Sequence, residues 1–262
     1  MEWVLLPGEE NIGPMRISIV YAAVILCTAL PLRGQDATEI VNRSYDQMRG
    51  ETSYAKMEMN IIRPTWERTI RFKSWTRGTE YSLALITHPA REEGKTFLKR
   101  GTEMWSWRPA INRMIKLPPS MMSQGWMGSD YTNDDLINEA SIVDDYQHRL
   151  LGEDTVRGYT CYRVELTPTP DAPVVWGRIV MWIDREEYYE LRARYFDEDD
   201  ALVKTHRSSE VKEFDDRMIP SRFEIIPADE SGQRTVVLIL EMDFGIQLDD
   251  SFFSQQNMKR VR

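Results

Sequence analysis

The sequence predicts a mainly β protein of the α+β class: a strongly curled antiparallel sheet, forming an incomplete β-barrel, with two or three helices as a lid. Three observations predict it. From residue 52 onward the apolar pattern has period two, broken by turn signals about every ten residues. Helical patterns are confined to two short stretches, near residues 36–50 and 132–137. About ten antiparallel strands with so few helices cannot be covered on both faces, so the sheet must curl and the helices close its open side.

The chain has 262 residues, enough for one domain with a sizeable core. Its net charge of −9 argues against nucleic acid or anionic headgroups as the main partner, since both favour a basic face. Eight Trp and fourteen Met suit an adaptable apolar pocket, and equally suit a plain core.

Residues 1–14 carry three acids and no base, the wrong charge for a signal-peptide start. Met15-Arg16 followed by the apolar run 17–30 has the expected form. The prediction is a leader and secretory signal over residues 1–34, translation beginning at Met15, and a single domain over 35–262. A retained N-terminal anchor is the alternative. Cys27 falls in the segment expected to be removed, and Leu26 before it argues against lipidation. Cys161 is then a lone thiol, expected to be buried and inert.

Asp36 and Glu39 form a capping-box pattern, and Gly50 suits a left-handed helix stop, so residues 36–50 read as a helix. Ala37, Ile40, Val41, Tyr45 and Met48 share its apolar face. Ala55, Met57, Met59 and Ile61 then alternate with Lys56, Glu58 and Asn60 until Pro64. Strands follow over 66–75, 81–87, 95–99 and 104–108, separated by turns at 77–80, 88–94 and 100–103. His88, beside Pro89, reads as a turn residue.

Thr132 with Asp135 is a second capping box, ahead of Leu136 and Ile137. Asp144-Asp145 and His148 lack metal-ligand spacing. The run 197–200 has four acids but neither the glycine nor the alternation of a calcium loop, so it reads as a hairpin tip. Residues 179–183 are apolar on both faces, as in a strand covered on both sides. In 235–244, Val236, Leu238, Leu240, Met242 and Phe244 are expected on one face. Residues 251–254 read as a short terminal cap.

The segment 104–137 carries the most information. Met104-Trp105-Ser106-Trp107-Arg108 alternates, Pro118-Pro119 ends the extended run, and residues 120–128 are apolar and bracketed by glycines. It reads either as a lid over an apolar cavity or as an ordinary buried loop and helix. The run Met104-Trp105-x-Trp107-x-Pro109-Ala110, then Arg113, Lys116, Pro118 and Ser120, then Trp126-Met127-Gly128-Ser129-Asp130-Tyr131-Thr132 and Asp135-Leu136, resembles the outer membrane lipoprotein-sorting protein family, part of the LolA-like periplasmic lipoprotein carrier superfamily. Two departures are notable: Trp126 replaces the usual phenylalanine, and Met122 a common basic residue. Both make this segment more apolar.

The resemblance implies a periplasmic protein that shields acyl chains of a lipid or lipoprotein, serving envelope trafficking or a transporter of the resistance–nodulation–division type. No catalysis, cofactor or metal is expected, since no motif for one is found; no nucleic acid is expected from the acidic charge; and a monomer is expected. The expected cavity residues are Met59, Ile61, Trp75, Leu85, Trp105, Trp107, Trp182, Leu238 and Leu240; the expected lid residues are Met121, Met122, Trp126, Met127 and Leu136. Arg113 and Lys116 are either headgroup contacts at the cavity mouth or surface charges. Period two fixes alternation but not which face points inward. Burying one acyl chain would contribute on the order of 10 kcal/mol before opening costs. A scaffold subunit of an envelope complex and a carboxylate-dependent hydrolase are the other readings; no nucleophile elbow, phosphate loop or zinc spacing is present.

Overall fold

A computed structural model describes Met1 and residues 36–137, 141–172 and 174–262. The expected signal segment and Cys27 lie outside the described residues. The chain opens with helix α1 (Ala37–Arg49), then runs through strands β1 (Thr52–Arg63), β2 (Trp66–Arg77), β3 (Tyr81–His88), β4 (Thr96–Arg100), β5 (Glu103–Arg108) and β6 (Arg113–Lys116). The short helices α2 (Asn133–Ile137) and α3 (Ser141–Asp144) follow. Then come β7 (Tyr146–Val156), β8 (Tyr159–Pro168), β9 (Arg178–Asp184), β10 (Glu190–Phe196), β11 (Leu202–Phe214), β12 (Arg217–Pro227) and β13 (Arg234–Phe244).

The start of α1 is the predicted one: the Asp36 side chain accepts from the Thr38 N–H at 2.9 Å, and Gly50 follows Arg49 with φ 62°. Its buried residues are Ala37, Ile40, Val41 and Ser44. All thirteen strands belong to one antiparallel sheet, ordered β6-β5-β4-β3-β2-β1-β13-β12-β11-β10-β9-β8-β7. Two meanders are thus joined through the first strand and the last. The sheet does not close. Its two edges, β6 and β7, are consecutive in the chain, and the described residues between them, 117–137 and 141–145, include Leu117 and Trp126, which pack against the inner face. This segment is the cover.

The sheet has two packed faces. Met59, Ile61, Ile70, Phe72, Ile86, Met104 and Val237 point inward and meet Leu117 and Trp126 of the cover. Ile179, Met181 and Ile183 also point inward, against Ala37, Ile40 and Val41 of α1. On the outer face, Leu83, Leu85, Leu98 and Trp107 are buried under Phe253, Met258 and Val261. The predicted terminal cap is thus the start of a C-terminal strap that seals the outer face. Strand β9 is buried on both sides, as expected, with Val180 and Trp182 packed opposite Met181.

The expected inward face of β13 is corrected. Lys56 pairs with Glu241 but Met57 pairs with Ile239, so Leu240 is an extra residue in β13. This bulge inverts the alternation. Val237, Ile239 and Met242 face inward, whereas Leu240 is 46% exposed.

Candidate apolar cavity and its lid

The inner face holds a hollow because a block of three strands is tiled with small side chains. Ser53 pairs with Thr76, and Thr76 with Ser82; Ala55 pairs with Ser74, and Ser74 with Ala84. These six residues share the inner face, and no large side chain occupies the space above them. Ser53 Oγ and Thr76 Oγ1 lie 2.7 Å apart and hydrogen-bond each other. The cavity above it has a volume of about 240 Å³ and is completed by Met57, Met59, Phe72, Val237, Ile239 and Met242. One register step along, Met57 pairs with Phe72 and Phe72 with Ile86, and larger side chains replace the small ones.

The roof is formed by Met48 and Arg49 of α1, Phe223 of β12, and Trp126, Tyr131 and Leu136 of the cover. Trp126 is 2% exposed. Its indole stands edge-on between Phe72 and Phe97, with centroids 5.4 and 5.3 Å away. The tight turn carrying it has Met127 at φ 53° and Gly128 at φ 80°. Gly125 cannot be replaced without a shift, because a Cβ there would lie 2.5 Å from the Ser129 carbonyl oxygen. Arg68 donates to the Met127 carbonyl, and Ser129 Oγ to that of Trp126 at 2.8 Å.

Two buried ion pairs fasten this cover. Arg63, at the end of β1, holds Asp130 through both guanidinium nitrogens at 2.9 and 3.2 Å. Asp130 also accepts from Thr235 Oγ1 at 2.6 Å. On the other side, Lys204 Nζ of β11 donates to Asp135 Oδ2 at 2.5 Å. Asp135 simultaneously closes the predicted capping box: it accepts from the Thr132 N–H at 2.7 Å, while its own N–H donates to Thr132 Oγ1 at 3.0 Å. Trp176 Nε1 donates to its other oxygen at 3.3 Å. Burial alone would raise the Asp135 carboxyl, but the Lys204 ammonium and the hydrogen bonds from Lys204 and the Thr132 N–H act with the rest of the site to hold the group below its ordinary value.

A second hollow of about 210 Å³ adjoins the first, sharing Met48, Arg49, Tyr131, Leu136 and Phe223 with it. Tyr146, Trp176, Ile179, Met181, Tyr195 and His206 line it further. Burial, reinforced by Lys204, pushes the His206 imidazole down to about 3, so it is neutral at physiological pH.

The predicted site residues divide by face. Among the nine expected cavity residues, Met59 lines the hollow, and Ile61 lies on the same inner face within the filled core. Trp75, Leu85, Trp105 and Trp107 lie on the outer face with the C-terminal strap. Trp182 also points outward: its Nε1 donates to Asp154 at 2.9 Å, and Arg192 and Arg194 lie over its ring. Leu238 and Leu240 alternate outward for the reason given by the β13 bulge. Trp126 and Leu136 form the roof, and Met122 and Met127 pack against its core. Met121 lines a separate groove on the far side of the cover, with Arg108 and Ile115. Lys116 is exposed on the outer side beside Trp105 and is ion-paired with Glu103, and Arg113 is exposed on edge strand β6; neither reaches the hollow.

Sequence reading missed the small-residue tile, Arg63, Lys204 and His206. The alternations Ser53/Ala55, Ser74/Thr76 and Ser82/Ala84 were visible, but only the pairing register stacks them into one block. Among the described residues no group of three or more His, Cys, Asp or Glu is placed to hold a metal ion. His148 instead contacts Thr38 Oγ1 and the Ile142 carbonyl at 3.1 and 2.6 Å.

The model of a family described as "Uncharacterized protein"-like matches residues 78–260. The chain belongs to that family. No curated protein is similar to it in sequence. Among solved structures, a DUF1329 family protein from Desulfovibrio piger is 27% identical, with a TM-score of 0.78 over 85% of this chain and 97% of that one. An outer membrane lipoprotein-sorting protein domain from Vibrio parahaemolyticus is 22% identical, with a TM-score of 0.73 over 86% and 98%. A LolA superfamily protein from Nitrosomonas europaea is 23% identical, with a TM-score of 0.73 over 86% and 100%. The resemblance read from the Met104–Leu136 motif is borne out: this family member has the LolA-like fold, an unclosed curled sheet under a helical cover.

Proposed function

We propose that the protein is a non-catalytic periplasmic carrier, with residues 1–34 as its export signal and 35–262 as the carrier domain. It takes a hydrocarbon chain of a lipid or lipoprotein into the inner hollow. The observation that carries this reading is the tile of Ser53, Ala55, Ser74, Thr76, Ser82 and Ala84 under a lid of Trp126. A protein interior is otherwise close-packed. A hollow kept open by six small residues on three strands, and lined by flexible methionines, suits an apolar guest of variable shape.

The closed volume of about 240 Å³ lies below the roughly 300–1,000 Å³ of ordinary ligand sites. A full chain therefore displaces Trp126 or extends into the second hollow. Each buried methylene contributes about 0.8 kcal/mol, which offsets the loss of Trp126 packing against Phe72 and Phe97. The LolA-like fold, shared with a lipoprotein-sorting domain, supports the same reading.

The test is one-to-one binding of palmitate by native mass spectrometry, compared with Ala84→Phe. The larger side chain occupies the hollow, so the variant should keep its melting temperature and lose palmitate binding at least about tenfold. Equal binding by a folded Ala84→Phe protein would remove the hollow from the function.

A further inference from the structure

The two adjoining hollows differ in chemistry. The first is walled mostly by Met, Phe, Val and small side chains, with Lys99 turned to the Thr79 carbonyl and Arg49 shared with the second, whereas the second adds Tyr146, Trp176, Tyr195, His206, Asp135 and Glu190. Its charges are balanced and engaged. Asp135 holds Lys204 at 2.5 Å, and Arg49 and Glu190 each have a partner within the chain. His206 differs from these groups. Its ring lies 4.4 Å from that of Tyr195 and 5.9 Å from that of Tyr131, and its Nε2 is buried with no hydrogen-bond partner. A native protein rarely leaves such an atom unmet beside an open space.

We propose that the second hollow receives the uncharged, hydroxyl-bearing head of a single-chain amphiphile, which hydrogen-bonds His206 while the chain lies over the small-residue tile. This rests on the carrier reading and adds to it the class of cargo: a free lipid enclosed head and tail. The wall itself selects against charge. Asp135 is already ion-paired with Lys204, and Glu190 and Arg49 each have a partner, so a charged head of either sign would enter without a free counter-ion. A hydroxyl meets a neutral group, His206 Nε2, that has capacity left. The order of elements agrees, since the hollows meet at Met48, Tyr131, Leu136 and Phe223, between the tile and His206.

The experiment is displacement of a bound fluorescent hexadecyl dye from the full chain by monopalmitoylglycerol, palmitate or hexadecane. Monopalmitoylglycerol should displace the dye at least about tenfold more tightly than palmitate. His206→Phe should lose about tenfold for monopalmitoylglycerol alone, leaving dye and hexadecane unchanged, and His206→Gln should recover part of that loss. If the dye binds but His206→Phe holds monopalmitoylglycerol as the native chain does, or if palmitate is preferred, the head-group assignment is wrong and the carrier reading stands. If the folded native chain binds neither dye nor hexadecane, both fall.

Discussion

Arg63 and Asp130 meet at 2.9 Å with only 13% and 8% of their side chains exposed, and they tie the last residue of β1 to the segment that carries Trp126. Sixty-seven residues separate them in the chain. The low exposure decides what the pair does. A surface pair would contribute little, but removing one member of a buried pair strands the other charge away from water.

Asp130→Ala should therefore lower stability by about 3 kcal/mol in urea unfolding, and Trp126 emission should shift to the red as the cover loosens. The double change Arg63→Met with Asp130→Leu should cost less than Asp130→Ala alone, because no charge is left buried. A single variant as stable as the parent would mean that the pair does not fasten the cover.

The pair Lys204–Asp135 and the neighbouring His206 make stability depend on pH. An unfolded His takes up a proton near 6.5, but His206 in the folded chain does so only near 3. The unfolded state thus binds more protons across that interval, so stability falls as pH falls from about 6.5 toward 3, by up to about 1.4 kcal/mol per pH unit from this one group. Asp135, held low by Lys204, adds a further loss only below about 4. Urea midpoints at pH 7 and pH 4.5 should differ less in His206→Phe than in the native chain. An unchanged difference would show that His206 titrates normally in the folded state.

On the outer face the strap residues pack into a core of their own. Phe253 is fully buried against Leu83, Leu98 and Trp107. Phe253→Ala should cost about 3–5 kcal/mol in unfolding free energy, with palmitate affinity retained by the folded protein at low temperature. Loss of palmitate binding without loss of stability would place the ligand on the wrong side of the sheet.

Cys161 is buried, and burial pushes its thiol up to about 11. Iodoacetamide at pH 8 should leave it unmodified in the folded chain and alkylate it in urea, as read by intact mass. Rapid labelling of the native protein would contradict the packing of Cys161 against Val180 and Leu191.

Much of the architecture was legible because local chemistry decides it. Asp36 and Gly50 set the ends of α1, and Thr132 with Asp135 set the start of α2 through side-chain bonds spanning two or three residues. Turn residues punctuated most of the strands. Strand β6 was missed, since Arg113–Lys116 is too short to show a period, and the sheet has thirteen strands where about ten were expected.

The site was less legible, and the tryptophans show why. Trp75, Trp105 and Trp107 looked like cavity walls by composition, yet they pack beneath Phe252, Phe253 and Met258 on the outer face. The sequence by itself determined that the chain alternates, where it turns, and that residues 117–137 differ from the strands around them. Only the tertiary structure decided which face is inside, because a two-residue period has no direction and the single extra residue Leu240 reverses it within β13. It also decided where the interior stays empty, since small residues from three strands form a floor only once the register aligns them. Arg63 with Asp130 and Lys204 with Asp135 become partners only when the sheet has curled far enough for its two edges to be bridged.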